Sequence, residues 1–218
     1  MVMRVMPGEE ARRMKTAVIL IGHSLTADEV GWLTGVPKCT INSLKKGFGD
    51  SLRRPGRATE KPCEFVFSSS RLAAVSAVFV RSLRDAMVNA GKATTTLEGC
   101  GEEFLGALAY TENFYDAVPS SDRMNGRRLL MIGMDWVGGK LTLTRCCKCH
   151  SEHLKSTQVV QLDSGKATMG ECPMCQLSAH KMTEVRRAAV ADLQQRAQMI
   201  ESAKQAPATR KPVVFDLE

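Results

Sequence analysis

The sequence predicts a mainly α-helical fold, with an N-terminal helix-turn-helix-like hairpin, a helical bundle and a small C-terminal zinc-binding β-ribbon module with four cysteine ligands. Three observations predict it. Apolar residues recur at three- and four-residue spacing between residues 69 and 137. After Gly138 and Gly139 the spacing changes to the two-residue alternation of strands. Five of the eight cysteines then lie between Arg145 and Cys175.

The composition predicts a folded cytoplasmic protein. The chain has 218 residues, of which 44% are hydrophobic, so it can bury a core. Its longest apolar run, residues 17–21, is far shorter than the roughly 20 residues of a membrane span, and no secretory leader pattern occurs. In a reducing compartment, paired cysteines indicate metal ligands rather than disulfides.

The net charge of +7 is concentrated at the two ends of the chain. Residues 1–62 carry 11 basic and 6 acidic side chains, residues 63–140 carry 8 and 9, and residues 141–218 carry 11 and 8. This distribution favours a polyanionic partner such as nucleic acid, although a surface charged for solubility would give the same counts.

Composition and periodicity divide the chain into four segments. They are a helix-turn-helix-like basic region, a helical bundle core, a zinc-binding module, and a basic helix with a mobile tail. In that order they cover residues 1–62, 63–140, 141–180 and 181–218.

Helices are predicted wherever apolar residues repeat with helical spacing. Apart from the hairpin, these helices cover residues 8–22, 69–91, 97–116, 122–137 and 180–204. Two strands, in KLTLTRC and TQVVQLD, are predicted to frame the cysteine cluster. Trp32 and Trp136 are interpreted as core residues rather than as platforms for stacking bases.

The segment TADEVGWLTGVPKCTINSLKK predicts two short helices joined by a turn. Thr26 and Glu29 have the spacing of a capping box, which marks a helix start. Gly35 suits the turn because glycine adopts positive φ without steric cost, and Pro37 is tolerated where the second helix begins. The apolar residues expected to face inward are Val30, Leu33, Val36, Ile41 and Leu44.

The outward side of the second helix is chemically suited to base edges and phosphates of duplex DNA. The basic loop that follows would extend this surface. The expected DNA contacts are Lys38, Thr40, Asn42, Ser43, Lys45, Lys46, Arg53, Arg54 and Arg57. A plain helical hairpin with a solvated charged face is the alternative interpretation.

Two CxxC pairs, Cys146 with Cys149 and Cys172 with Cys175, are separated by 22 residues. Each CxxC turn brings two thiolates to one ion, and two turns complete the four sulfur ligands that zinc prefers. Four protein ligands leave no position for water or substrate, so one zinc ion per chain would be structural.

Other ligand sets remain open at this point. Cys147 could replace Cys146, and His150 or His153 could replace one sulfur. CCKCH also matches the CxxCH pattern of c-type haem attachment, which the second CxxC pair and the lack of an export signal disfavour. The three isolated cysteines are interpreted as small apolar packing residues; they are Cys39, Cys63 and Cys100.

The order of these parts resembles the FlhC family, the C subunits of the bacterial flagellar master transcriptional activator. The segments TGVPKCTINSLKKGFG and RLLMIGMDWVGGKLTLTRCCKC, with the closing CPMC, carry the resemblance over roughly residues 15–177. It implies a largely helical fold with one structural zinc on Cys146, Cys149, Cys172 and Cys175. It also implies a heterohexamer of four FlhD and two FlhC chains that binds double-stranded promoter DNA and activates RNA polymerase at flagellar operons.

We therefore expect a DNA-binding transcriptional activator subunit that acts with an FlhD-type partner at flagellar or related promoters. The alternative is a zinc-stabilised assembly adaptor whose contacts are chiefly with protein. No glycine-rich phosphate loop, HExxH motif or nucleophile elbow occurs in the sequence, so an enzyme is not expected.

Overall fold

A computed structural model describes residues 7–47, 62–115, 119–158, 160–161, 167–168, 171–179, 181 and 183. The chain forms two compact units, Met1–Leu177 and Ser178–Glu218. Among the described residues, no helix combines the length and apolarity needed to span a bilayer.

The described part of the first unit is mainly helical, with four short strands after the last long helix. A 3-10 turn, Ser120–Asp122, precedes the last long helix, and residues 173–179 are helical. The helices are α1 (Pro7–Gly22), α2 (Ala27–Thr34), α3 (Lys38–Gly47), α4 (Pro62–Phe67), α5 (Ser70–Asn89), α6 (Gly101–Glu112) and α7 (Gly126–Val137), and the strands are β1 (Leu141–Arg145), β2 (Glu152–Ser156), β3 (Val160–Gln161) and β4 (Ala167–Thr168).

One core runs through the helices α1 to α7, and its largest buried aromatic rings lie between α5 and α6. The hydroxyl of Ser69 accepts a hydrogen bond from the backbone N–H of Leu72 and caps α5. The buried rings of Phe79 on α5 and Phe104 on α6 pack edge to face, with centroids 5.5 Å apart. The predicted helices of the bundle are therefore confirmed, with bounds that shift by a few residues.

α7 connects the N-terminal helices to the ribbon, the two-stranded antiparallel sheet of β1 and β2. At its start, a Cβ added at Gly126 would lie only 2.8 Å from both the Cβ and the carbonyl oxygen of His23, so glycine permits close packing there. The Nε of Arg127 lies 3.0 Å from Glu29 Oε1 on α2. At its end, Lys140 N–H donates to Asp135 O at 2.8 Å while Gly139 has positive φ, which is a Schellman motif that turns the chain into β1.

The strand pairing differs from the prediction. β1 lies within KLTLTRC as expected, but its antiparallel partner is β2, with Leu141 opposite Ser156 and Arg145 opposite Glu152. The segment TQVVQLD contributes only β3, which pairs with β4. The prediction failed because EHLKS does not alternate: His153 and Leu154 are adjacent and both buried.

Candidate functional site

Four cysteine sulfurs converge at the end of the ribbon. The Sγ atoms of Cys146, Cys149, Cys172 and Cys175 all lie within 4.8 Å of one another. Cys146 and Cys175 are 3.8 Å apart, and Cys149 and Cys172 are 3.5 Å apart. A tetrahedron with metal–sulfur bonds of about 2.3 Å has edges of about 3.8 Å, so the cluster is compatible with a structural metal site.

The first CxxC pair forms the hairpin connection between β1 and β2. Cys146 N–H donates to Ser151 O at 2.9 Å, and His150 N–H donates to Cys146 O at 3.0 Å. His150 has a φ of 60°, a left-handed conformation that histidine adopts more readily than bulkier residues. These bonds close the loop, and the sulfurs of its Cys146 and Cys149 lie within 4.8 Å of each other.

The second CxxC pair lies at the beginning of the last described helix. Gln176 N–H donates to Cys172 O at 3.2 Å, which is the first turn of the helix over residues 173–179. The two cysteines of this pair therefore lie at the first turn of one helix.

Hydrogen bonds and neighbouring sulfurs change the acidity of the thiols. Backbone N–H groups of Cys149 and Lys148 lower the pKa of Cys146. The Ser151 hydroxyl, with Oγ 2.9 Å from Cys149 Sγ, lowers the pKa of Cys149 to about 6. The hydrogen bond with Cys149 is the main cause that raises the pKa of Cys175 to about 12. These opposite pKa shifts reflect competition between neighbouring thiols for protons. A divalent cation would remove this competition because it would replace the proton as the partner of the sulfurs.

The geometry shows which of the candidate ligands belong to the cluster. The cluster contains Cys146, whereas Cys147 is exposed and outside it. His150 is also exposed, and His153 is buried with no hydrogen-bond partner at Nδ1 among the described residues. Neither histidine belongs to the cluster, so the four predicted cysteines form the candidate ligand set.

The isolated cysteines and the tryptophans were predicted to pack inside. Cys100 is buried as expected, but Cys39 is exposed at the beginning of α3, so its interpretation as a packing residue is wrong. The side chain of Cys63 lies outside the described residues. Trp32 and Trp136 are partly buried against the core, which confirms the prediction for both.

The ribbon is attached to the helical body by polar and apolar contacts. Leu141 and Leu154 are buried in the same core as the helices. Arg84 on α5 contacts Glu152 on β2. Ser70 at the start of α5 donates to Gln176 Oε1 at 2.6 Å, one residue after Cys175. Both halves of the cysteine cluster are therefore held on α5.

The predicted helix pair consists of α2 and α3. Thr26 Oγ1 accepts from Glu29 N–H at 3.2 Å, and Glu29 Oε2 accepts from Thr26 N–H at 2.7 Å, so the capping box is confirmed. Gly35 has a φ of 71° and its N–H donates to Gly31 O at 2.8 Å, which confirms the glycine turn. Of the residues expected to face inward, Val30, Leu33, Val36 and Ile41 are buried and Leu44 is partly buried.

The polar residues of α3 divide into two groups. Lys38, Asn42, Ser43 and Lys46 are exposed, whereas Thr40 and Lys45 are half-buried.

Two of the lysines on α3 are bonded to other residues of the chain. Lys38 Nζ lies 2.6 Å from Asp28 Oδ1, and Lys45 Nζ donates to Leu25 O at 2.8 Å. Burial lowers the pKa of Lys45, against the opposing effect of Glu29 and Asp28.

The rest of the expected DNA contacts are in the basic loop. Arg53, Arg54 and Arg57 lie outside the described residues.

Comparison of the chain with protein-family models and with curated proteins gave no match. The resemblance to the FlhC family therefore depends on the order of the hairpin, the bundle and the cysteine pairs, and it stays a prediction.

Proposed function

We propose that the chain is a DNA-binding transcriptional activator subunit that holds one structural Zn²⁺ ion. It acts with an FlhD-type partner, in a complex of four FlhD-type and two FlhC-type chains, to activate RNA polymerase at promoters of flagellar or related operons. The observation that carries the proposal is the capped α2–α3 pair, which exposes Asn42 and Lys46 on its second helix in a chain with a net charge of +7.

The chemistry of the helix pair supports contact with a duplex. Ile41 is fully buried and anchors α3 to the body. Asn42, on the exposed side, has an amide that can pair with adenine in the major groove. Lys46 is exposed in the last turn and can contact phosphate without sequence preference. An exposed amide and cation on one short helix suit both parts of DNA recognition.

The donor set supports zinc as the metal. Four thiolates at tetrahedral separations are soft ligands that favour zinc over magnesium, calcium or manganese. Cys146, Cys149, Cys172 and Cys175 would hold the ion, and its binding would supply folding energy, on the order of 10 kcal/mol in small zinc modules. The ion would join the hairpin connection of the ribbon to the last described helix.

The test measures duplex binding by the full complex with its FlhD-type partner over a range of salt concentrations. Affinity should fall steeply with salt because bound lysines and arginines release phosphate counterions. Lys46→Gln should weaken binding to all duplexes alike, whereas Asn42→Ala should change the preference between sites. Lys155→Gln, at an exposed lysine on β2, is the matched control. A complex that binds no duplex at low salt would sink the proposal.

One observation favours a second function, a zinc-stabilised assembly adaptor without DNA contact. Lys38 and Lys45, two of the expected phosphate contacts, already bind Asp28 and the carbonyl of Leu25. Replacing Arg53, Arg54 and Arg57 together by glutamine separates the two functions. An activator should lose duplex binding, whereas an adaptor should keep its full activity.

A further inference from the structure

His153 on β2 carries a buried ring nitrogen that has nothing to bond to. In the part of the chain that the structure describes, its Nδ1 is the one buried side-chain nitrogen or oxygen without a hydrogen-bond partner. The residue as a whole is 6% exposed. Buried polar atoms are nearly always bonded, and an orphaned one indicates a functional role or an ion or water that belongs to the site. The surroundings of this ring show which role applies.

His153 lies on the face of the ribbon that carries Cys146. Thr144 is the register partner of His153, and the bond from Cys146 N–H to Ser151 O continues the pairing into the loop. Side chains alternate between the two faces of a strand, so these four residues share one face. Thr144 and Lys155 are exposed on this face, whereas His153 is buried. The face is therefore covered only at the end that leads to the cysteines.

The second CxxC pair approaches the same face. Cys146 Sγ lies 3.8 Å from Cys175 Sγ, and Ser151 Oγ lies 3.6 Å from Cys172 Sγ. Both contacts start from the face that carries His153. Ser151 precedes His153 by two residues, which is about 7 Å along a strand. The segment that begins at Cys172 therefore lies beside the ring of His153.

The two CxxC pairs differ in the hydrogen bonds that their sulfurs receive. Lys148 N–H donates to Cys146 Sγ at 3.4 Å, and the Ser151 hydroxyl oxygen lies 2.9 Å from Cys149 Sγ. The hydrogen-bond partners of Cys175 Sγ are other thiols, and no N–H group within the described ranges donates to it. Four thiolates around one divalent ion carry excess negative charge, which N–H donors stabilise. The second pair lacks such a donor.

We propose that the ring of His153 donates a hydrogen bond from Nδ1 to a sulfur of the second CxxC pair in the metal-bound protein. Metal binding removes the proton of each thiol, and a thiolate accepts hydrogen bonds more strongly than a thiol does. The bond offsets negative charge on the sulfurs and holds the second pair against the ribbon. His153 is thus a positioning residue of the metal site and not one of its ligands. This inference rests on the zinc site of the proposed function and is independent of duplex binding.

The zinc affinity of the full chain, measured by competition with a chromophoric chelator, tests the bond. His153→Phe keeps a ring but removes the donor, so it should weaken zinc binding about tenfold, the usual effect of losing a hydrogen bond behind a metal ligand. The amide nitrogen of asparagine lies about as far from the backbone as Nδ1, whereas the amide nitrogen of glutamine reaches the position of Nε2. His153→Asn should therefore restore most of the lost affinity, and His153→Gln should not.

His150→Asn is the matched control for loss of an imidazole near the cluster. His150 is exposed in the loop between β1 and β2 and has a φ of 60°, a conformation that asparagine also adopts. The control should bind zinc as tightly as the unchanged chain. Equal zinc affinity in His153→Phe, His153→Gln and the unchanged chain would overturn the proposal.

Nuclear magnetic resonance of the unchanged chain, loaded with a spin-active cadmium isotope, observes the bond directly. The proton on Nδ1 of His153 should show a scalar coupling to cadmium that is transmitted through the sulfur. This spectrum decides the matter even if His153→Phe does not fold. No coupling at this proton would overturn the proposal, and a direct coupling of the ring nitrogen to cadmium would make His153 a ligand instead.

The same measurements separate this inference from the proposed metal site. An unchanged chain that holds no tightly bound zinc would refute the metal site and the role of His153 together. A chain that holds one zinc ion, with an affinity that His153→Phe leaves unaltered, would refute the role of His153 alone.

Discussion

Arg84 on α5 donates two parallel hydrogen bonds to Glu152 on β2, from Nη1 to Oε1 at 2.8 Å and from Nη2 to Oε2 at 3.1 Å. The two side chains are 31% and 29% exposed. The bond from Arg84 is the main cause that lowers the pKa of Glu152, and the charge of Arg81 at 3.5 Å contributes. Glu152 follows Cys149 by three residues, so this pair attaches the ribbon to the bundle next to the cysteine cluster.

The Glu152 contact should make stability depend on pH in the acid range. Its folded-state pKa lies below the unfolded value, so its contribution is complete above pH 4.5 and is lost as the pH falls through the folded value. Glu152→Gln should lower the free energy of unfolding by about 1 kcal/mol at pH 7, a figure reduced for partial exposure. Denaturant unfolding of the unchanged chain and of the Glu152→Gln variant, from pH 7 to pH 3, measures the difference in their free energies of unfolding. This difference should shrink toward acid pH. A constant difference would contradict the prediction.

Cys146 and Cys147 should differ in metal content when each is replaced by serine. Cys146→Ser removes one of the four clustered sulfurs, so the purified chain should hold far less than one zinc ion. Cys147→Ser changes an exposed thiol outside the cluster and should keep one ion. Elemental analysis of the two proteins measures this directly. Equal zinc in both variants would mean that the ligand set is different.

Thr26→Ala should destabilise the helix pair. The change removes the hydroxyl that accepts from Glu29 N–H and costs about 1 kcal/mol, the usual value for loss of an N-cap. Thr95→Ala, at an exposed threonine, is the control and should cost little. Thermal unfolding compares the two variants. If both shift the midpoint equally, the capping box contributes nothing specific.

Lys45→Met and Lys46→Met should separate stability from duplex binding. Lys45 donates to Leu25 O and is half-buried, so its replacement should lower the free energy of unfolding by roughly 1 kcal/mol. Lys46 is exposed, so its replacement should leave stability unchanged and weaken duplex binding. Unfolding curves and duplex titrations of both variants test this. The opposite pattern would exclude α3 as the DNA-contacting helix in this orientation.

Local signals in the sequence predicted the features whose parts are close along the chain. Thr26 and Glu29 are three residues apart, and Gly35 needs no partner to form its turn. Each CxxC pair likewise brings its thiols together within one turn. The spacing therefore predicted the capping box, the turn and the four-cysteine cluster without knowledge of the rest of the fold.

Contacts between distant segments were not predictable in this way. β2 carries no alternating pattern, and its pairing with β1 continues from the loop that the Cys146–Ser151 backbone hydrogen bond closes. α4 begins at Pro62. Pro62 is the last residue of SLRRPGRATEKP, the segment that we interpreted from the sequence as a basic loop. The contact of Lys45 with Leu25 spans 20 residues. Side-chain identity predicts which atoms can bond, but only the packed fold determines which of them meet.

The position of α7 between the α2–α3 pair and the ribbon makes its length in residues a geometric constraint. Its start is packed on His23 and bonded to Glu29, and its end leads through Gly139 into β1. Its 12 residues give a length of about 18 Å. Each residue inserted into it would move the ribbon by about 1.5 Å and rotate it by about 100° relative to the α2–α3 pair. Substitutions on the surface of α7 keep this alignment, whereas a single insertion or deletion changes it.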